Sequence, residues 1–283
     1  MVYLRAKTIK SEQYLYLVKS VWDSKKSTSK QQTIKYLGKA SLVESDDIPV
    51  DYRNDSKILS ALSKYAPKDI KKRNNASEKV KQKLYKKITE GDIQESVKIY
   101  EEYLKIFNTV EFFDKILKPV MSKIGSDWQS GKISIGTEHV ASNIAQTLVK
   151  GIFEQVNVRV KKKTVLICVP IGEEHHLGCD VLETYLSMNE FKVFNMGTSV
   201  PTESILNFIE YNNPDIVLLS ITIKDNLKSG QRLVRKINKE FDVPIFVGGL
   251  ATQGKNIPKF DGEIIENLSL SGIKKKIGCV LNG

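Results

Sequence analysis

Between Thr164 and Gly249 the sequence repeats one pattern: an apolar run of six to eight residues, then a stretch with apolar residues three and four apart. The runs are TVLICVP (164–170), FKVFNM (191–196), DIVLLSIT (215–222) and VPIFVGG (243–249), and a short fifth strand is expected near Gly262–Ile265. Segments such as HLGCDVLETYLSMN and KSGQRLVRKINKEF carry the helical spacing. Continuous apolar strands separated by helices belong to a parallel sheet covered on both faces, which predicts a doubly wound, flavodoxin-like α/β domain. In such a sheet ligands bind beyond the carboxyl ends of the strands, where the strand order reverses. The residues that follow each strand are therefore the place to look for chemistry.

Upstream the pattern differs. From about Ser77 to Val156 four amphipathic runs follow one another: EKVKQKLYKKI, IQESVKIYEEYLKIF, VEFFDKILKPVMSKIGSDW and TEHVASNIAQTLVKGIFEQV. Turn or capping residues separate them at Gly91-Asp92, Asn108-Thr109 and Gly131, which predicts a four-helix bundle. From Val2 to Gly38 the residues alternate and favour β-structure, predicting a three-stranded meander. So small a sheet needs a partner, and KILSALSKYA (57–66) reads as a short helix to pack on it. The basic stretch Pro67–Ala76 reads as a linker, or as an arm that orders on a phosphate backbone. The expected organisation is a mixed α+β multidomain chain: residues 1–76 as meander, helix and linker, 77–160 as the bundle, and 161–283 as the α/β domain.

Charge sharpens this division. Residues 1–90 hold 21 Lys and Arg against 10 Asp and Glu, and the rest of the chain is balanced at 23 against 23. So lopsided a field suggests a polyanionic partner for the first third, nucleic acid ahead of an anionic membrane surface, with a merely solubilising surface as the plain alternative. No stretch reaches the ~20 apolar residues of a membrane span, and MVYLRAKTIK has no apolar core of a signal peptide, so a cytoplasmic location without membrane association is expected. The three cysteines, Cys168, Cys179 and Cys279, lack C-x-x-C spacing and suggest neither disulfides nor zinc. There is no G-x-x-x-x-G-K-[ST] loop, and Gly248-Gly249 lacks dinucleotide-fingerprint spacing, which argues against ATP or nicotinamide enzymes. A nucleophilic pair of Cys179 with His175 or His176 has no oxyanion donor indicated beside it.

After the first strand comes Gly172-Glu173-Glu174-His175-His176-Leu177-Gly178, with two of the chain's three histidines. Imidazole is the commonest transition-metal ligand, and a neighbouring carboxylate can hold its second nitrogen and set the tautomer. An incidental surface loop is the alternative. The third strand ends in Ser220-Ile221-Thr222 and the fourth in Gly248-Gly249, hydroxyls and glycines that suit a polar ligand tail lying close to the backbone. Glu173-x-His175-x-x-Gly178, with Ser220-x-Thr222 and Gly248-Gly249, resembles the cobalamin-binding domain, from about Thr164 to the C-terminus. The resemblance implies that His175 is the lower axial ligand of cobalt and that Glu173 is its hydrogen-bond partner. It also implies that Gly178, Ser220, Thr222, Gly248 and Gly249 line a channel for the displaced nucleotide tail. Glutamate stands where aspartate is commoner, which is expected to loosen the support of the histidine.

The third histidine falls in Trp128-Gln129-Ser130-Gly131 … Glu138-His139. A tryptophan, a glycine turn and a Glu-His pair ten residues on resemble the helical cap of the cobalamin-dependent photoreceptor regulators. That likeness implies that Trp128, Glu138 and His139 contact the upper ligand of an adenosylcobalamin, whose light-broken cobalt–carbon bond changes oligomeric state and DNA affinity. Plain core packing for Trp128 and helix-end electrostatics for Glu138 and His139 are the alternatives. Two departures stand out. Gln129 occupies the place of a histidine that captures cobalt after photolysis, and a basic meander replaces a winged-helix domain of the MerR kind. QQTIKYLGK faintly resembles the N-terminal part of some transposases. The leading expectation is a non-enzymatic cobalamin sensor, able to form homo-oligomers, that contacts DNA through residues 1–90. The main rival is a corrinoid carrier of a methyltransferase system, binding methylcobalamin, and a third reading is a cobalamin storage or chaperone module. Radical mutases need a catalytic barrel that this chain has no residues left to build.

Overall fold

The structure, a computed structural model, describes residues 2–9, 12–23, 28–53, 55–65, 67–105, 107–156, 163–254, 257–266 and 268–282. It divides into two compact units, residues 1–135 and 136–283.

The first unit opens with β1 (Val2–Ile9), β2 (Glu12–Asp23) and β3 (Thr28–Lys39), an antiparallel sheet in that order. The period-two alternation puts Leu4 opposite Leu17 and Ala6 opposite Leu15 on one face. After the one-turn helix α1 (Val50–Arg53), helix α2 (Ser56–Tyr65) brings Ile58, Leu59 and Leu62 onto that face, and Val43 and Ile48 complete the core. Each such side chain contributes about 1.5–3 kcal/mol on burial, enough to hold a sheet that would be marginal alone.

The expected linker at Pro67–Ala76 is a correction, because the backbone there is already helix α3 (Pro67–Thr89). Proline suits a first helical position, where its missing N–H has no partner to lose. The lysines, arginine and alanine that follow are good helix formers, and the Asn74-Asn75 pair is only mildly unfavourable. Helix α4 (Ile93–Leu104) starts at Asp92, whose side chain accepts from the Glu95 amide at 3.0 Å after Gly91 turns with φ +77°. Helix α5 (Thr109–Phe112) starts at Asn108, which accepts from the Glu111 amide at 2.9 Å. It runs through a π turn at Phe113–Leu117 into α6 (Lys118–Gln129). The π turn lies directly before Pro119, whose ring would collide with the carbonyl four residues back in a regular helix. It also lets adjacent Phe112 and Phe113 both be buried. Tyr100 and Tyr103 meet the Phe112 ring edge-on at 4.9 and 5.6 Å.

The second unit takes in α7 (Ile135–Glu154) from Gly136 onward, the last of the four amphipathic runs. There follow β4 (Lys163–Cys168), α8 (Leu177–Met188), β5 (Phe191–Asn195), α9 (Thr202–Asn212), β6 (Ile216–Ser220), α10 (Leu227–Glu240), β7 (Ile245–Gly248), β8 (Glu263–Ile264) and α11 (Leu270–Asn282). The five strands pair in parallel in the order β5-β4-β6-β7-β8. This is the flavodoxin-like order expected from the apolar runs, and its reversal lies between β4 and β6. Leu166, Cys168, Val217, Leu219 and Val247 pack against Ile205, Leu233 and Val234 of the helices in the core. The expected domain boundary at 160/161 falls among residues 157–162, outside the described residues.

Candidate functional site at the β4–β6 crevice

The chain leaves β4 through a tight turn in which the Glu173 amide donates to the Pro170 carbonyl at 3.1 Å. Gly172 adopts φ +88° in that turn, a conformation that favours glycine. Glu173 is thereby aimed into the crevice and is fully buried. Its Oε1 accepts from the His175 amide at 3.1 Å and faces His175 Nδ1 at 2.8 Å. Its Oε2 accepts from the amides of Thr222 and Ile223, both at 2.9 Å, and from Asn226 Nδ2 at 3.1 Å. One carboxylate thus ties the loop after β4 to the loop after β6 across the switch point. The longer side chain, expected to loosen this support, instead spans the crevice to five donors.

These bonds set the protonation. Burial alone would raise the Glu173 pKa, but the bonds from His175, Ile223, Asn226 and Thr222 outweigh it and hold the group down to about 2. The His175 pKa is raised by its bond to Glu173, against the opposing effect of burial, and the charges of Glu173, Glu138 and Glu174 add to the rise. In neutral His175 the carboxylate keeps the proton on Nδ1, so the lone pair is on Nε2. The side chain is about half exposed, at 46%. His176 takes a lesser part: its Nδ1 lies 3.3 Å from the Glu174 carbonyl and its Nε2 3.6 Å from Asp180.

The remaining residues of the crevice have distinct surroundings. Gly178 lies in the first turn of α8, and a Cβ there would meet nothing within 4 Å. Ser220 pairs with Gly248 at the ends of β6 and β7. Gly249 has φ +109°, and a Cβ on it would lie 2.2 Å from the Ile221 carbonyl oxygen, so close packing of the two strand ends alone demands glycine there. Glu138, at the start of α7, accepts from Ser142 Oγ at 2.7 Å and lies 3.1 Å from His139 Nδ1, and the His139 ring is largely exposed.

In the first unit Trp128 is 37% exposed and is not a core residue. Its neighbour Asp127, which sequence reasoning missed, is buried and bonds Tyr85 at 2.9 Å, Lys123 at 2.7 Å and Lys132 at 3.3 Å. These partners, Lys123 and Tyr85 foremost, hold its pKa down to about 2. Its carbonyl accepts from the Lys132 amide at 2.8 Å and so fixes the turn after Trp128. Asn226 was also missed, and so was the bridge from Asn195 to Asp180 and Glu183, both at 2.9 Å. A polar residue closing a crevice from a distant loop leaves no local pattern, although Asn226 could have been sought as the residue preceding α10.

Chemically, the site offers one imidazole nitrogen braced from behind. Among the described residues no group of three His, Cys, Asp or Glu side chains could hold a metal ion. A lone braced imidazole suits a metal that brings its own equatorial donors, as a macrocycle does. A nucleophilic Cys179 is disfavoured because the thiol is buried and burial pushes its pKa well up; burial likewise raises the Cys168 thiol, to about 12. Among the described residues no helix is long and apolar enough to cross a membrane.

Comparison with known proteins finds B12 binding domains in this chain. Residues 163–259 match the B12 binding domain, and residues 80–150 match a second B12 binding domain family. Over 157 residues the chain is 24% identical to the HTH-type transcriptional repressor CarH of Myxococcus xanthus, covering 55% of this chain and 52% of the repressor, about half its length. Over 173 residues it is 24% identical to trimethylamine corrinoid protein 1 of Methanosarcina acetivorans, covering 57% of this chain and 79% of that protein. The monomethylamine corrinoid protein of Methanosarcina barkeri shares the fold with a TM-score of 0.61 at 17% identity, covering 71% of this chain and 97% of that one.

Proposed function

From the premise that the chain is a B12-binding domain protein resembling the cobalamin-dependent regulators, we propose that it is a cobalamin sensor whose basic N-terminal region contacts DNA. The observation that carries the reading is the buried Glu173 carboxylate that orients His175 at the switch point. The residues fit the cofactor: Nε2 of His175 has the lone pair for cobalt, and the space beside Gly178 is open. Bound cobalamin would supply a cobalt–carbon bond that light can break. Glu173 would hold the ring of His175 in register, and Ser220, Thr222, Gly248 and Gly249 would border the nucleotide tail. Residues 77–160 would act as the helical cap, with Trp128, Glu138 and His139 at the upper ligand. Because Gln129 has no imidazole, the state reached after illumination would lack a second histidine ligand at that position. Loss of the upper ligand would bias assembly by removing contacts that favour the closed cap.

A carrier of methylcobalamin for a methyltransferase is the second reading, favoured by the match along 79% of trimethylamine corrinoid protein 1. Reconstitution in the dark with adenosylcobalamin separates the two when followed by gel filtration and DNA retention before and after illumination. The sensor predicts a His-on spectrum lost in His175→Ala, a light-dependent elution volume, and DNA retention lost on removal of residues 1–65, a cut that ends before α3. Identical elution in light and dark, with no DNA retention by the full chain, would overturn it in favour of the carrier.

A further inference from the structure

Strands β2 and β3 are 12 residues each, about twice the usual strand length. Only their inner halves, at Leu15 and Leu17, lie on the core built with α2. Beyond Lys19, which lies opposite Gln32 and still pairs with Val2 of β1, the pair continues as a ribbon, with Ser20 opposite Gln31, Val21 opposite Lys30 and Trp22 opposite Ser29. Val21 is 41% and Trp22 67% exposed, and β3 is exposed from Thr28 through Tyr36. A two-stranded ribbon open on both faces contributes little to stability.

Its chemistry points outward. Residues 1–39 hold nine Lys and Arg against two acids, Glu12 and Asp23, and Glu12 is already paired with Lys39. Along Lys19–Trp22 and Thr28–Thr33 there is no carboxylate. Those stretches hold two lysines, two glutamines, two threonines and two serines, the side chains that bond phosphates and base edges.

We propose that this ribbon enters the major groove of duplex DNA with the face that carries Lys19, Val21, Lys30 and Gln32, Gln32 reading base edges and Lys19 and Lys30 meeting phosphates. The inference rests on the DNA-binding reading above and specifies its reader. Two strands about 4.8 Å apart with their side chains fill a groove about 12 Å wide, which is known to admit a β-ribbon. A single-stranded partner fits less well, because it requires successive free aromatic faces. Tyr14 and Tyr16 are each engaged with Tyr36, at 6.4 and 5.0 Å between ring centres, which leaves Trp22 the most exposed ring of these two strands.

The test uses the full chain, a random duplex, the sequence selected by the chain from a duplex library, and a single-stranded oligonucleotide. Affinity is read by fluorescence anisotropy between 50 and 200 mM salt. Lys19→Ala and Lys30→Ala should each weaken binding to both duplexes and lower the salt slope by about 0.9. Gln32→Ala should bind the random duplex within about twofold of the parent and lose about tenfold or more on the selected one. All these side chains are exposed, so circular dichroism should show unchanged folding. If the full chain binds duplex and these variants bind as the parent does, the ribbon is not the reader and the DNA reading stands. Preference for the single strand overturns groove entry, and failure of the full chain to bind any DNA overturns the DNA reading itself.

Discussion

Replacing Glu173 by glutamine changes almost no volume but inverts half of the hydrogen-bonding pattern. The amide oxygen of the substituted side chain can keep the Thr222, Ile223 and Asn226 donors that now lie 2.9–3.1 Å from Oε2. Those bonds fall from charge-assisted, about 1.5–3 kcal/mol each, to neutral, about 1 kcal/mol. The His175 amide also loses its acceptor. With the cost of burying a charge removed in part compensation, a loss of about 2–4 kcal/mol in stability is expected. The consequence for binding is more specific. The new NH2 faces His175 Nδ1, which must then accept, so the imidazole proton moves to Nε2 and occupies the lone pair needed by cobalt. Losing one charge-assisted bond that selects the ligating tautomer corresponds to about 10–100-fold weaker ligation. Nitrogen NMR of the free protein reads the tautomer, and titration with adenosylcobalamin in the dark reads affinity and the His-on spectrum. A Glu173→Gln protein that keeps its proton on Nδ1 and binds within twofold of the parent would refute the argument.

Three further outcomes are expected. Gly178→Leu should raise stability by roughly 0.5–1 kcal/mol, because leucine favours a helix over glycine. It should also weaken cobalamin binding by filling the open space beside α8, and unchanged affinity would show that no ligand uses that space. Gly249→Ala, with its Cβ 2.2 Å from the Ile221 oxygen at φ +109°, should lower the urea-unfolding stability by about 3 kcal/mol; a loss under about 1 kcal/mol would contradict the close approach. Asp127 has a depressed pKa of about 2, so its stabilisation is present above its unfolded value near 4 and lost as pH falls toward 2. Asp127→Asn should therefore lower Tm at pH 6 and flatten the fall of Tm between pH 4 and 2, with Glu173 responsible for a residual slope in the same window. An unaltered slope would mean that the Lys123 and Tyr85 contacts do not hold this carboxylate in solution.

Much of the fold was legible because its signals are local. Apolar runs in 164–249 marked four of the parallel strands, and Asp92, Asn108, Gly91 and Gly131 marked helix ends because caps and turns act within a few residues. Pro67–Ala76 misled because basic, Asn-containing composition suits a linker, whereas a proline at a helix start and a run of helix formers suit α3 equally well. The π turn before Pro119 was not legible, since it reconciles a proline with two adjacent buried phenylalanines.

For the site the division is similar. Residue types and spacing alone determined that His175 and Glu173 follow the first strand of the α/β unit and that hydroxyls and glycines follow its third and fourth. Only the folded chain decided that Glu173 is buried against amides 49 and 50 positions further on, and that Asn226 joins it. Strand formation depends on side chains within a few residues of one another. A carboxylate's partners depend on which loops the strand order brings together, and that order is set by packing the whole sheet.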